Sequence, residues 1–67
     1  MKISARNQLA GKVTHIDNGI ITAKVELDVG GTTLVAVITK DSVEDLGLKV
    51  GDNVTAVIKS TSIMVMK

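Results

Sequence analysis

Cysteine, proline and aromatic residues are all absent from this chain of 67 residues. Without cysteine there is neither a disulfide nor a thiolate metal site, the staples that hold many domains of this size. Without Phe, Tyr or Trp the core must be built from Val, Ile, Leu, Met and Ala, and no nucleic-acid base can stack on a ring. His15 is the single histidine, which excludes metal centres needing several imidazoles. Eight basic residues against seven acidic ones leave a formal charge of +1, without the excess of a dedicated nucleic-acid binder. No apolar run approaches the ~20 residues of a membrane span. Met1-Lys2-Ile3-Ser4 does not open a signal peptide. The expectation is a cytoplasmic protein with no membrane and no nucleic-acid partner.

What the chain does have is aliphatic surface. It is 45% hydrophobic, yet a domain of this length buries only roughly 60% of its unfolded surface. That is more aliphatic side chain than one small core holds, so a homo-oligomer with an extensive apolar interface is expected. Length allows a single domain over residues 1–67, and no linker, repeat or low-complexity tract divides it.

The pattern is that of short strands. Gln8 to Ile16 reads as a first strand, and Asp17-Asn18-Gly19 as a turn. From Ile20 to Val29, the residues Ile21, Ala23, Val25, Leu27 and Val29 alternate with Thr22, Lys24, Glu26 and Asp28, the period of a half-buried strand. Gly30-Gly31 forms the next turn. Thr32 to Thr39 is a third strand whose continuous run Leu34-Val35-Ala36-Val37-Ile38 suggests burial on both faces. Asp41-Ser42-Val43-Glu44 has capping-box spacing and predicts a short helix opened by Asp41, with Val43 and Leu46 sharing one face and Gly47 as its stop. Asn53–Lys59 and Ile63–Met66 complete the set as fourth and fifth strands. The predicted fold is all-β: a five-stranded OB-like barrel with one helix between the third and fourth strands.

Enzyme constellations do not survive inspection. Ser4, His15 and Asp17 supply triad residue types at spacings that support no triad. Asp41, Glu44 and Asp45 suit the first turn of a helix better than a cation. Gly30-Gly31 is an isolated hairpin pair without a phosphate-loop motif. Met64 and Met66 alternate on a strand and read as filling for a core or interface. No catalytic residue and no residue acting as a direct cation ligand is assigned, and no organic cofactor is expected.

Two segments stand out by donor chemistry. Ser4-Ala5-Arg6-Asn7 contains the only arginine, and Lys59 is followed by Ser60, Thr61 and Ser62. Cations beside small hydroxyls and accessible backbone suit a compact oxyanion. On residue type alone, ordinary surface cations are the commoner explanation.

Ile3-Ser4-Ala5-Arg6-Asn7-Gln8-Leu9-Ala10-Gly11-Lys12-Val13, Ala36 through Leu48 and Val54 through Met64 resemble the molbindins, or Mop proteins, across essentially the whole chain. The resemblance implies an OB-like barrel assembled as a hexamer, a trimer of dimers. It also implies molybdate, with tungstate as analogue, bound between subunits for storage or homeostasis of molybdenum. Carried over by position, the molybdate site takes Ser4, Ala5, Arg6, Asn7, Thr39, Ser42, Lys59 and Ser60. A second oxyanion site falls near Gly19 and Ile20. A regulatory or interaction module and an OB-type binder of single-stranded nucleic acid are the alternatives.

Overall fold

The chain folds as Asn7–Asn18 (β1), Thr22–Val29 (β2), Thr32–Thr39 (β3), Lys40–Leu46 (α1) and Asn53–Ile58 (β4), followed by a 3-10 turn at Ser60–Ser62. The computed structural model describes residues 3–67, so the opening Met1-Lys2 lies outside it. The strands form one antiparallel sheet in the order β3-β2-β1-β4.

β1 is the organising element. Its first half pairs with β4, from Asn7↔Ile58 to Lys12↔Asn53. Its second half pairs with β2, from Lys12↔Asp28 to Asn18↔Ala23. The change of partner falls at a bulge: the register shifts between Val13 and His15, and Thr14 is the extra residue. A bulge bends its strand and increases the local twist. Thr14 Oγ1 donates to Glu26 O at 3.2 Å across the irregularity. Val13 N donates to Asp52 O at 2.9 Å and Val13 O accepts from Gly51 N at 2.8 Å, fastening the bend to the turn before β4.

Gly11 precedes the bend. A Cβ there would lie 2.9 Å from both Asp28 O and Val29 Cγ2, so β1 and the end of β2 approach too closely for any side chain. The β2–β3 connection is also set by glycine. Gly30 and Gly31 both have positive φ, at 57° and 89°, as a two-residue primed turn requires. Asp28 Oδ1 accepts from Gly31 N at 3.0 Å and closes it.

The core contains no ring. Val13, Ala23, Val25, Leu27 and Val43 are buried, with Ile16, Val29, Leu34, Ile38, Leu48, Val54 and Ala56 packed around them. The period-2 reading of β2 holds for Ala23, Val25 and Leu27. Ile21 lies before the strand and is exposed, because β2 starts at Thr22 and not at Ile20. In β3, Leu34, Ala36 and Ile38 face the core, whereas Val35 and Val37 are exposed. The continuous run is therefore buried on one face only within the chain.

Three further expectations are corrected. The helix is capped by Thr39, not Asp41: Thr39 Oγ1 accepts from Ser42 N at 3.0 Å, so the helix begins at Lys40 and Asp41 lies within its first turn. Gly47, at φ 62° and ψ 37°, ends it as anticipated, but Leu46 points away from the core and is exposed. The fifth strand does not form. After Ile58 the chain makes its 3-10 turn and continues without a ladder partner to Lys67. Met64, Val65 and Met66 are each more than nine-tenths exposed, so the methionines fill no core of their own chain. Four strands in an open sheet, with β3 and β4 at its edges, replace the predicted five-stranded barrel.

The chain is expanded for its mass. Its accessible surface is 5550 Å², against about 4000 Å² for a compact monomer of 7.0 kDa. Ile20, Ile21, Val35, Val37, Leu46 and Val50 all contribute to the excess.

Gly11→Ala is expected to lose about 1–3 kcal/mol of stability, because one of the clashing atoms is a backbone carbonyl. Lys12→Ala, on the exposed face beside it, should change stability by less than about 0.5 kcal/mol. Urea unfolding of the two variants against wild type checks the contrast.

Candidate functional site

The β1–β4 ladder ends at Asn7↔Ile58. The next residues outward are Arg6 on one strand and Lys59 on the other, both exposed. Antiparallel pairing thus sets the only arginine across from a lysine, an unfavourable like-charge placement unless an anion lies between them. Ser4 and Ala5 precede Arg6, and Ser60 opens the 3-10 turn after Lys59.

Side-chain hydrogen bonds hold this end. Asn7 Nδ2 donates to Ile58 O at 3.2 Å and to Ser60 Oγ at 3.4 Å, across a separation of more than fifty residues. Gln8 Nε2 donates to Ala5 O at 2.8 Å and fixes the peptide before Arg6. Gln8 was read from the sequence only as part of a motif. Its function in holding the Ala5 carbonyl depends on a local loop conformation that residue types do not reveal.

Thr39 and Ser42 lie elsewhere. Their hydroxyls are 2.7 Å apart, and the Ser42 N–H is already donated to Thr39 Oγ1. Beside them Lys40 N donates to Ile21 O at 2.8 Å, which brings Gly19 and Ile20 to the same end of the sheet. Lys40 itself is half-buried here and was not among the residues assigned from the sequence. With Asp41 read as the cap, nothing in the sequence singled Lys40 out.

The ten assigned residues therefore form two groups. Ser4, Ala5, Arg6, Asn7, Lys59 and Ser60 meet at the Asn7 end of β1. Thr39, Ser42, Gly19 and Ile20 meet at the Asn18 end. A strand rises roughly 3.3 Å per residue, so twelve residues of β1 separate the groups by on the order of 30 Å. The longest dimension of the molecule is 35 Å. No small ion touches both groups of one chain. Among the described residues, no cluster of three or more His, Cys, Asp or Glu is placed to hold a metal ion. No helix among them is long and apolar enough to cross a membrane.

A small open β-sheet with donor-rich ends and one short helix defines a binding module in architecture. The TOBE domain family matches residues 3–65. Molybdenum-pterin-binding protein 3 of Clostridium pasteurianum is 52% identical over 67 residues, which cover 98% of each chain. The structure of a molybdate-binding protein from Sporomusa ovata superposes with a TM-score of 0.96 at 52% identity, over the full length of both chains. ModG, a cytoplasmic molybdate-binding protein solved with molybdate bound, superposes at 0.85 with 44% identity over 90% of this chain and 43% of that one. The chain belongs to the TOBE domain family and, within it, to the Mop proteins.

Thr39→Ala should lower stability by about 1 kcal/mol through loss of the helix cap, while Thr39→Ser keeps the accepting oxygen and most of the stability. Chemical denaturation of both variants distinguishes a capping hydroxyl from a bystander.

Proposed function

We propose that this protein binds molybdate, with tungstate as its analogue, between the subunits of a homohexamer built as a trimer of dimers, and serves as a cytoplasmic molybdenum store. The observation that carries the reading is the composition of the Arg6–Lys59 end. Two cations and several hydroxyl residues flank the last pair of the β1–β4 ladder there, and neither Ser4–Asn7 nor Lys59–Ser62 contains a carboxylate. A tetrahedral dianion offers acceptor oxygens and no donor, so its partners must all be donors. Two cations roughly neutralise it and lower the cost of removing it from water. The end-to-end likeness to molybdate-binding proteins supports the same ligand. Binding and release, with no bond made or broken, is the proposed activity.

Thr39 and Ser42 enter this reading only if another copy supplies them, since within one chain they lie at the far end of β1. The second oxyanion site, at Gly19 and Ile20, would share that end. The surface argues for assembly in the same direction. The chain carries about 1500 Å² more surface than a compact monomer of its mass. An apolar cleft of about 740 Å³ separates the inner faces of β3 and β4, lined by Leu34, Ala36 and Ile38 on one side and Val54, Ala56 and Ile58 on the other. The exposed, wholly apolar tail Ile63–Met66 of a neighbouring copy would add a fifth strand there and close the barrel.

Isothermal titration should give tight molybdate binding with weak or no heat from sulfate and phosphate. Light scattering should give about six times the chain mass. Arg6→Ala and Lys59→Ala should each weaken molybdate by about 1.5–3 kcal/mol, or about 10- to 150-fold. Unchanged affinity in both variants overturns the site. Deletion of residues 63–67 should reduce the mass by preventing closure; a full-sized assembly from the shortened chain overturns the tail's place in it.

A further inference from the structure

We infer that the Asn7 side chain is a positioning group rather than a ligand: it spends both amide hydrogens inside the chain and so presents the Ser60 hydroxyl proton to the anion. The inference rests on the proposed reading of this end as an oxyanion site. It begins with the identity of the atom facing Ile58. A backbone carbonyl oxygen only accepts, so the part of the Asn7 amide 3.2 Å from Ile58 O must be the NH₂ group. That group has two hydrogens. The second faces Ser60 Oγ at 3.4 Å, a long contact but within reach. Asn7 is half-buried on the ladder's last pair, which holds the amide in this orientation.

Two consequences follow by counting hydrogens. Asn7 has no side-chain donor left for an anion; what remains is Oδ1, an acceptor that would repel one. A Ser60 oxygen that accepts from Asn7 must direct its own proton elsewhere, and a hydroxyl so polarised is a better donor. The amide therefore selects one of the two polarities open to Ser60. It sets that hydroxyl as a donor beside Lys59 and across from Arg6, as a dianion requires.

A double-mutant cycle tests this, read by titration with molybdate. Ser60→Ala is expected to weaken binding about 10-fold. Asn7→Ala should weaken it by no more than that. In the Ser60→Ala background, Asn7→Ala should change Kd by less than about 2-fold, because the hydroxyl it acts through is gone. Light scattering and thermal unfolding accompany each variant. Where Asn7→Ala fails to assemble, Asn7→Thr, which retains one donor on a strand-favouring side chain, takes its place in the cycle. Additive losses would mean that Asn7 contacts the anion itself or acts only on the fold, and either overturns the inference. A wild-type hexamer that binds molybdate while the losses add overturns this inference alone. A wild type that takes no molybdate overturns the proposed function and this inference with it.

Discussion

The pairing of β1 with β4 is the interaction on which the rest of the molecule depends. It joins Asn7 to Ile58 and closes a loop of 51 residues, at an entropic cost of about 3.5 kcal/mol plus a constant. The ladder from Asn7 to Lys12 and the contacts of Val54 and Ala56 with the core offset that cost. The bulge at Thr14 makes the arrangement possible, because one strand must leave β4 and continue along β2 without breaking its backbone hydrogen bonds. Val13, at the bend, is both the most completely buried large side chain and the residue bonded to Gly51 and Asp52. Core, bend and candidate site are thus parts of one constraint.

What could be read in advance was local chemistry. The alternation Ala23-Val25-Leu27 specifies a face because strand side chains alternate regardless of what they meet. Gly30-Gly31 and Gly47 specify a turn and a helix stop because both need backbone that other residues resist. The helix start went to Asp41 because Asp is a strong capping type at the right spacing. Thr39, three residues before Ser42, had an equal claim, and only the end of β3 decides between them. The fifth strand failed for a different reason. Ile63–Met66 is a continuous apolar run, but a strand exists only with a neighbour to bond, and the described residues of one chain supply none there. Val35 and Val37 belong to the same category. Their hydropathy is a statement about an environment that one chain does not contain. The candidate site divides along this line too: Arg6 and Lys59 were chosen by type and meet by pairing, whereas Thr39 and Ser42 were chosen with them and lie at the other end of β1.

That division gives the proposed assembly a thermodynamic meaning. If the cation-rich end of one copy meets the hydroxyl end of another, the anion is a bond between chains. Binding and assembly are then one equilibrium, and each stabilises the other by mass action. Such coupling suits a chain with five buried core side chains among the described residues and no cysteine or Phe, Tyr or Trp to strengthen it. It would also explain why so much aliphatic surface is tolerated on a small domain: in the proposed assembly that surface would be interior.

In the proposed assembly, selectivity would depend on the same geometry. Sulfate has the charge of molybdate but is smaller, and at the proposed site donors anchored to strand ends and a helix cap would not contract around it. Phosphate is often monoprotonated near neutral pH, and at the proposed site its hydroxyl would face chiefly donors. Ser42 N–H is held by Thr39, and the Asn7 amide by Ile58 and Ser60. A site whose donors were free to rotate would adapt to either anion. A proposed site whose hydroxyls are held by intramolecular partners, as Ser60 is by Asn7, would adapt less to either.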